Sequence, residues 1–307
     1  MFSEKKLAQM TKVKELASSL GVEILAHYYQ RPEIKKVATY VGGSRGIFRW
    51  AQKTRAKTVL LCGVSFMAET IERLKPELSV LIPREDASCP FSETVNANSI
   101  WEIRAKDAKA YIVAEAKAPW MVKDLADAIA PVDIDPEYWN NINLNKLNLN
   151  KRLYLLPGPN APWPSGSLVG PNAGVCQVHW QVEVETLAKI KWERPEALVA
   201  VNVLCQDEVK ARADKVGDSQ ALFEFCADSP AKEFIVVSEM GLAESLAQAY
   251  PNKRFYDPGV EIFCPNMKLT GLRDLISSLE SYQLKEGLLT RFGARALEGR
   301  LNHDLPG

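Results

Sequence analysis

Shifting this chain by 175 residues lays its first third on its last third without a gap. Ala26-His27 then falls on Val201-Asn202, Glu33-Ile34-Lys35 on Glu208-Val209-Lys210, and Val41-Gly42-Gly43-Ser44 on Val216-Gly217-Asp218-Ser219. Ala56-Lys57 meets Ala231-Lys232, Met67-Ala68-Glu69 meets Leu242-Ala243-Glu244, Pro76 meets Pro251, and Cys89-Pro90 meets Cys264-Pro265. A shift of 88 extends the match more loosely to the middle third, where Ile34-Lys35 pairs with Val122-Lys123 and Ala38 with Ala126 before the register drifts. Units of nearly ninety residues are too long for a solenoid repeat. The sequence therefore predicts three small domains, at 1–98 with an N-terminal helix, 99–185, and 186–307 with a C-terminal helical tail.

Cys89, Cys176 and Cys264 mark the same place in each unit, 87 and 88 residues apart. Six cysteines in 307 residues are too few for a disulfide scaffold, and a spaced set in a reducing compartment reads as metal ligands. Cys62, Cys205 and Cys226 are read instead as small buried hydrophobes. Zinc sites recruit a fourth Cys or His at short local spacing, which this set lacks.

Within each unit, short apolar runs alternate with helix-period segments, the pattern of a parallel sheet flanked by helices, so the fold class is α/β. The first unit predicts strands at Val22–Ala26, Thr58–Cys62 and Ser79–Ile82. Its helices are expected at Pro32–Thr39, Ile47–Thr54 and Met67–Leu74, with a turn at Val41–Ser44. In the third unit strands are expected at Leu198–Val201, Phe234–Val237 and Arg254–Tyr256, and a closing helix at Leu269–Leu279. The Asn-rich stretch Ile134–Leu149 and the Pro/Gly/Ser-rich stretch Leu156–Pro171 read as loops. Each spaced cysteine then follows the last strand of its unit, where open α/β sheets place ligands.

Lys and Arg total 38, as do Asp and Glu, so no net basic field gathers nucleic acid. No apolar segment near the start is long enough for a signal peptide or membrane span, which makes a cytoplasmic location the expectation. The Gly42–Gly46 run lacks a P-loop lysine, no G-x-G-x-x-G follows a strand, and C-x-x-C and H-E-x-x-H are absent.

Several phrases carry a resemblance to one family: Leu25-Ala26-His27-Tyr28-Tyr29-Gln30, Cys62 to Thr70, Gly174-Val175-Cys176 with His179, Ser229 to Phe234, and Cys264-Pro265-Asn266-Met267-Lys268. Together, over about Leu16 to Leu279, they resemble quinolinate synthase. The resemblance implies three α/β domains in pseudo-threefold arrangement around a [4Fe–4S] cluster held by Cys89, Cys176 and Cys264. Three thiolates leave one iron open as a Lewis acid. The implied reaction condenses iminoaspartate with dihydroxyacetone phosphate and dehydrates the product to quinolinate, for NAD biosynthesis. The implied partners are a small carboxylate or phosphorylated substrate and the iron–sulfur assembly machinery, on a monomer or homodimer.

By the same resemblance, His27 and Tyr29 handle protons, and an imidazole titrating near neutrality makes His27 the first candidate acid or base. Ser44 and Ser219 hold an anionic or phosphorylated group, Tyr111 touches the carboxylate substrate, and His179 supports the cluster loop or faces substrate. Asn202 joins the substrate contacts, but it marks a departure. Asn202-Val203-Leu204 stands where the family has His-Pro-Glu, Val113 where it has Asn, Gly43 where it has Asp, and the Ala128 region lacks a serine. Two alternatives follow: a divergent paralogue that keeps the iron for another substrate, and a non-catalytic iron–sulfur sensor or partner. An extra sulfide on the open iron, for sulfur transfer, is neither supported nor excluded.

Overall fold

The computed structural model describes residues 2–130, 152–156, 168–169 and 175–285. The Asn-rich stretch and the tail beyond 285 lie outside them, as does most of the Pro/Gly/Ser-rich stretch. The described chain is α/β with three four-stranded sheets in which every pairing is parallel.

The first sheet contains β1 (Val22–His27), β2 (Tyr40–Gly42), β3 (Thr58–Cys62) and β4 (Ser79–Leu81) in the order β2-β1-β3-β4. The second has β5 (Ala110–Glu115), β6 (Ala128–Ala130), β7 (Arg152–Leu156) and β8 (Leu168–Val169) in the order β6-β5-β7-β8. The third has β9 (Leu198–Asn202), β10 (Lys215–Gly217), β11 (Glu233–Val237) and β12 (Arg254–Tyr256) in the order β10-β9-β11-β12. Register follows the sequence repeat closely. His27 faces Gly42, Glu115 faces Ala130 and Asn202 faces Gly217, always fifteen residues on. Val22 faces Thr58 and Leu198 faces Phe234, both 36 residues on, whereas Ala110 faces Arg152, 42 residues on. Six extra residues before β7 are the source of the drift in the middle third.

Four expectations change. Val41-Gly42 is the second half of a strand and not a turn, because Tyr40–Gly42 pairs along the edge of β1 and Gly42 accepts from the Tyr28 N–H at 3.0 Å. The helix after it begins at Ser44 instead of Ile47. In the Pro/Gly/Ser-rich stretch, Leu156 closes β7 and Leu168–Val169 forms β8, so that stretch is not loop throughout. The closing helix runs over 272–285 among the described residues.

β3 is buried along its whole length, as a strand covered by helices on both faces must be. One face of the first sheet packs on the helix Glu4–Leu20, through Val13 and Ala17, and on Leu272, Leu275 and Leu279. The other face shares a core with the third sheet, in which Leu25, Ile47 and Phe48 meet Ala200, Leu222 and Phe234. Tyr28 stacks on Phe223 there at 4.8 Å between ring centroids. Smaller cores around Ile112 and Val122, and around Val199 and Ile235, serve the second and third sheets.

The helices Ser44–Lys53 and Ser219–Asp228 meet at their N-termini. Gln220 reaches across and accepts from the Gly43 N–H at 3.0 Å. A Cβ at residue 43 would lie 2.6 Å from Ser219 Oγ and 2.8 Å from the Gln220 backbone nitrogen. Glycine at 43 is thus dictated by close approach, which explains the departure from Asp noted above. Overpacking of this kind costs about 1–3 kcal/mol, so Gly43→Asp should lower the urea midpoint accordingly. An unchanged midpoint would contradict the close approach.

Candidate active site

The same turn closes the first strand of all three sheets. After β1, His27 Nδ1 accepts from the Tyr29 N–H at 3.1 Å and the His27 carbonyl from the Gln30 N–H at 3.0 Å. After β9, Asn202 Oδ1 accepts from the Leu204 N–H at 3.0 Å and its carbonyl from the Cys205 N–H at 3.0 Å. After β5, the Glu115 carbonyl accepts from the Ala118 N–H at 2.8 Å, while the Glu115 carboxylate takes the Lys117 ammonium at 2.8 Å. These turns aim His27 and Tyr29, Lys117, and Asn202 and Leu204 into one cavity of about 240 Å³.

Cys89, Cys176 and Cys264 line that cavity too, with Ser44, Ser219 and His179. Cys89 and Cys264 each lead through proline into a short 3-10 turn, Ser92–Thr94 and Asn266–Lys268, and Cys176 precedes the one-turn helix Gln177–Trp180. Asn266 Nδ2 donates to the Ser88 carbonyl at 2.7 Å, fastening one cysteine loop to another. The three thiols are partly exposed and unpaired, whereas Cys62, Cys205 and Cys226 are buried.

Behind the cavity, Tyr29 Oη lies 2.9 Å from Ser238 Oγ and 3.5 Å from His179 Nε2, and it accepts from Asn202 Nδ2 at 3.2 Å. His179 Nδ1 lies 3.2 Å from Cys176 Sγ, which links phenol, imidazole and thiol in one chain. A buried ion pair braces the floor: Lys268 Nζ lies 3.0 Å from Glu239 Oε1 and donates to the Tyr29 carbonyl. Glu239 also accepts from the Gly241 N–H at 2.8 Å and the Cys264 N–H at 3.4 Å. One carboxylate thereby indexes the Cys264 loop against the turn that carries His27 and Tyr29. Its own pKa is raised, chiefly by burial and against the pull of Lys268.

Electrostatics correct one expectation. His27 does not titrate near neutrality: burial first, then the charges of Lys268 and Lys35, push its pKa down to about 3. With Nδ1 accepting the Tyr29 N–H, the neutral ring carries its proton on Nε2, as a hydrogen-bond donor. His179 is likewise held neutral, at about 3, by burial and then Lys117. The Cys264 thiol is pushed up to about 12 by burial and then by Cys176 and Cys89, and Cys176 is raised by burial with Cys89 contributing. Among the described residues, no group of three or more His, Cys, Asp and Glu side chains has the geometry to hold a metal ion. Three thiols lining one cavity are the soft donor chemistry that an iron–sulfur cluster takes.

Tyr111 does not line the cavity. It is the second residue of β5, remote from the carboxyl end where the other groups gather. Glu115 and Lys117 hold that end instead, and a signal for them exists in the sequence: adding 88 to His27 and Tyr29 reaches 115 and 117. Ser238 carried no such signal, since its role arises from contacts with Tyr29 and Asn202 on distant elements.

Fold and site together define a parallel α/β enzyme whose thiols, imidazoles and hydroxyls meet beyond the strand ends. The model of the family described as quinolinate synthetase A protein matches residues 11–290. The quinolinate synthase of Pelobacter propionicus is 32% identical over 279 residues, covering 88% of each chain. That of Caldicellulosiruptor bescii is 32% identical over 288 residues, covering 90% of this chain and 91% of the relative, and that of Methanosarcina barkeri 30% identical with 89% of each covered. The chain belongs to the quinolinate synthase family and is an enzyme of the quinolinate synthase type.

The depressed His27 pKa has a linkage consequence. Between about 3 and the unfolded value of 6.5 the unfolded chain holds a proton that the folded chain refuses, so this contribution to stability is present above 6.5 and is lost as pH falls. At about 1.4 kcal/mol per pH unit, the chain should weaken steeply in urea between about pH 6.5 and about pH 5, and His27→Gln should flatten that slope. Equal slopes for the two proteins would refute a neutral buried His27.

Proposed function

We propose that this chain is a [4Fe–4S] quinolinate synthase that joins iminoaspartate to dihydroxyacetone phosphate and dehydrates the product, supplying the pyridine ring for NAD. The observation that carries the reading is the convergence of three unpaired thiols on the cavity that also holds His27, Tyr29, Ser44 and Ser219. In this reading the three like-ordered sheets are three domains, near 1–98, 99–185 and 186–307, disposed with pseudo-threefold symmetry about the cavity. Cys89, Cys176 and Cys264 hold the cluster, which the cell's iron–sulfur assembly machinery installs. When bound, it supplies one Lewis-acidic iron without a protein ligand.

The remaining chemistry belongs to side chains. Ser44 and Ser219 open ten-residue helices, where hydroxyls and first-turn N–H groups together hold the phosphate. Neutral His27 donates its Nε2 proton in a hydrogen bond to a substrate oxygen and orients it. Tyr29, fixed between Asn202, Ser238 and His179, is the proton-transfer group, with His179 as its relay. Val64, Phe66, Phe91 and Met267 line the walls and keep water from the reacting carbons.

A second reading has a specific observation behind it. Asn202 and Leu204 line the cavity where the family carries His and Glu, so two ionisable groups are missing from the substrate wall. A paralogue acting on another small acid would show this pattern.

Anaerobic purification followed by iron, sulfide and turnover measurements tests the proposal. The expected result is a brown protein with about four irons per chain that forms quinolinate, and loss of the iron in Cys89→Ser, Cys176→Ser and Cys264→Ser. A colourless, iron-free protein would refute the proposal. A full cluster without quinolinate would transfer the chain to the second reading, and Asn202→His with Leu204→Glu should then restore turnover.

A further inference from the structure

Three equivalent positions follow the first strands of the three sheets, two residues past their ends: Tyr29, Lys117 and Leu204. All three line the cavity, and they present a phenol, an ammonium and an isobutyl group. Lys117 is the one Lys or Arg among the described lining residues, and neither Asp nor Glu is among them. Lys35, Lys268 and Arg45 engage Glu244, Glu239 and Asp218 outside the lining. The ammonium of Lys117 is buried with its partner: the Lys117 and Glu115 side chains are 7% and 4% exposed, with Nζ and Oε1 2.8 Å apart. Nζ also stands 5.7 Å from the centroid of Phe91, in the loop that carries Cys89.

A small acid entering this mostly apolar cavity gives up its water, and a desolvated carboxylate needs a cation to replace it. We propose that Lys117 is the residue that selects ligand carboxylates in this site, with Glu115 as the positioning residue that holds its side chain toward the cavity. The inference rests on the cavity being the substrate site, and it assigns the carboxylate to the β5 side, apart from the phosphate at Ser44 and Ser219. An acid with its anionic group at Lys117 and its uncharged part toward Leu204 is the class this wall accepts.

The test is calorimetric binding to the anaerobically prepared, cluster-loaded full chain, with quinolinate, succinate and dihydroxyacetone phosphate as probes. Removing Lys117 alone strands a buried carboxylate and endangers folding, so the principal variant is K117M/E115Q, with K117R beside it. The double variant should bind quinolinate or succinate at least about tenfold more weakly while dihydroxyacetone phosphate binding stays unchanged, and K117R should recover part of the loss. Unchanged carboxylate affinity in the double variant, or an equal loss for the phosphate ester, would overturn the assignment. A wild-type chain that binds succinate through Lys117 but not quinolinate would uphold Lys117 and sink the quinolinate reading. A wild-type chain that binds neither acid would overturn both.

Discussion

Parallel pairing of strands at one fixed offset is what brings the chemistry of this protein together. In each sheet the last residue of the central strand faces a partner fifteen residues on, as His27 does Gly42, Glu115 does Ala130 and Asn202 does Gly217. Because parallel strands share a direction, their carboxyl ends lie on one edge, and the turns leaving that edge carry the functional side chains. A slip of one residue would turn each of them to the opposite face of its sheet. The burial of β1 and β3 between helices and neighbouring cores makes such a slip costly, so site geometry and core packing are one constraint.

Charge placement around the cavity follows a consistent pattern. Beneath its floor, Glu239 and Lys268 satisfy each other and fasten the Cys264 loop to the Tyr29 turn. Groups facing the cavity are mostly kept neutral by burial, as with His27, His179 and Cys264. A low-dielectric cavity of neutral donors strengthens any charge brought into it. In the proposed reading the cavity receives charge on the thiol side from a cationic centre and on the β5 side from an acid.

Much of this was legible in the sequence because the first and third units keep the same residue at many matched positions, so three of the four strands in each and the loops of Cys89 and Cys264 could be placed in advance. The middle unit was harder. Six extra residues before β7 break the shift of 88, and Tyr111, assigned by resemblance, sits four residues short of Glu115, the position that the first-strand register picks out. The neutrality of His27 was not legible, since it follows first from burial and then from the charge of Lys268, which is far from it in sequence. Gly43 likewise appeared as a lost aspartate until the approach of Gln220 explained it. Contacts across units, not local propensity, account for the misses at His27 and Gly43.

The central claim is that Cys89, Cys176 and Cys264 meet around one iron-containing body. Diffraction from anaerobically grown crystals on either side of the iron absorption edge tests it most directly. The account predicts one compact anomalous peak enclosed by the three Sγ atoms, with His27 and Lys117 on the same cavity wall. Iron density elsewhere, or three sulfur atoms that bound no common feature, would contradict it.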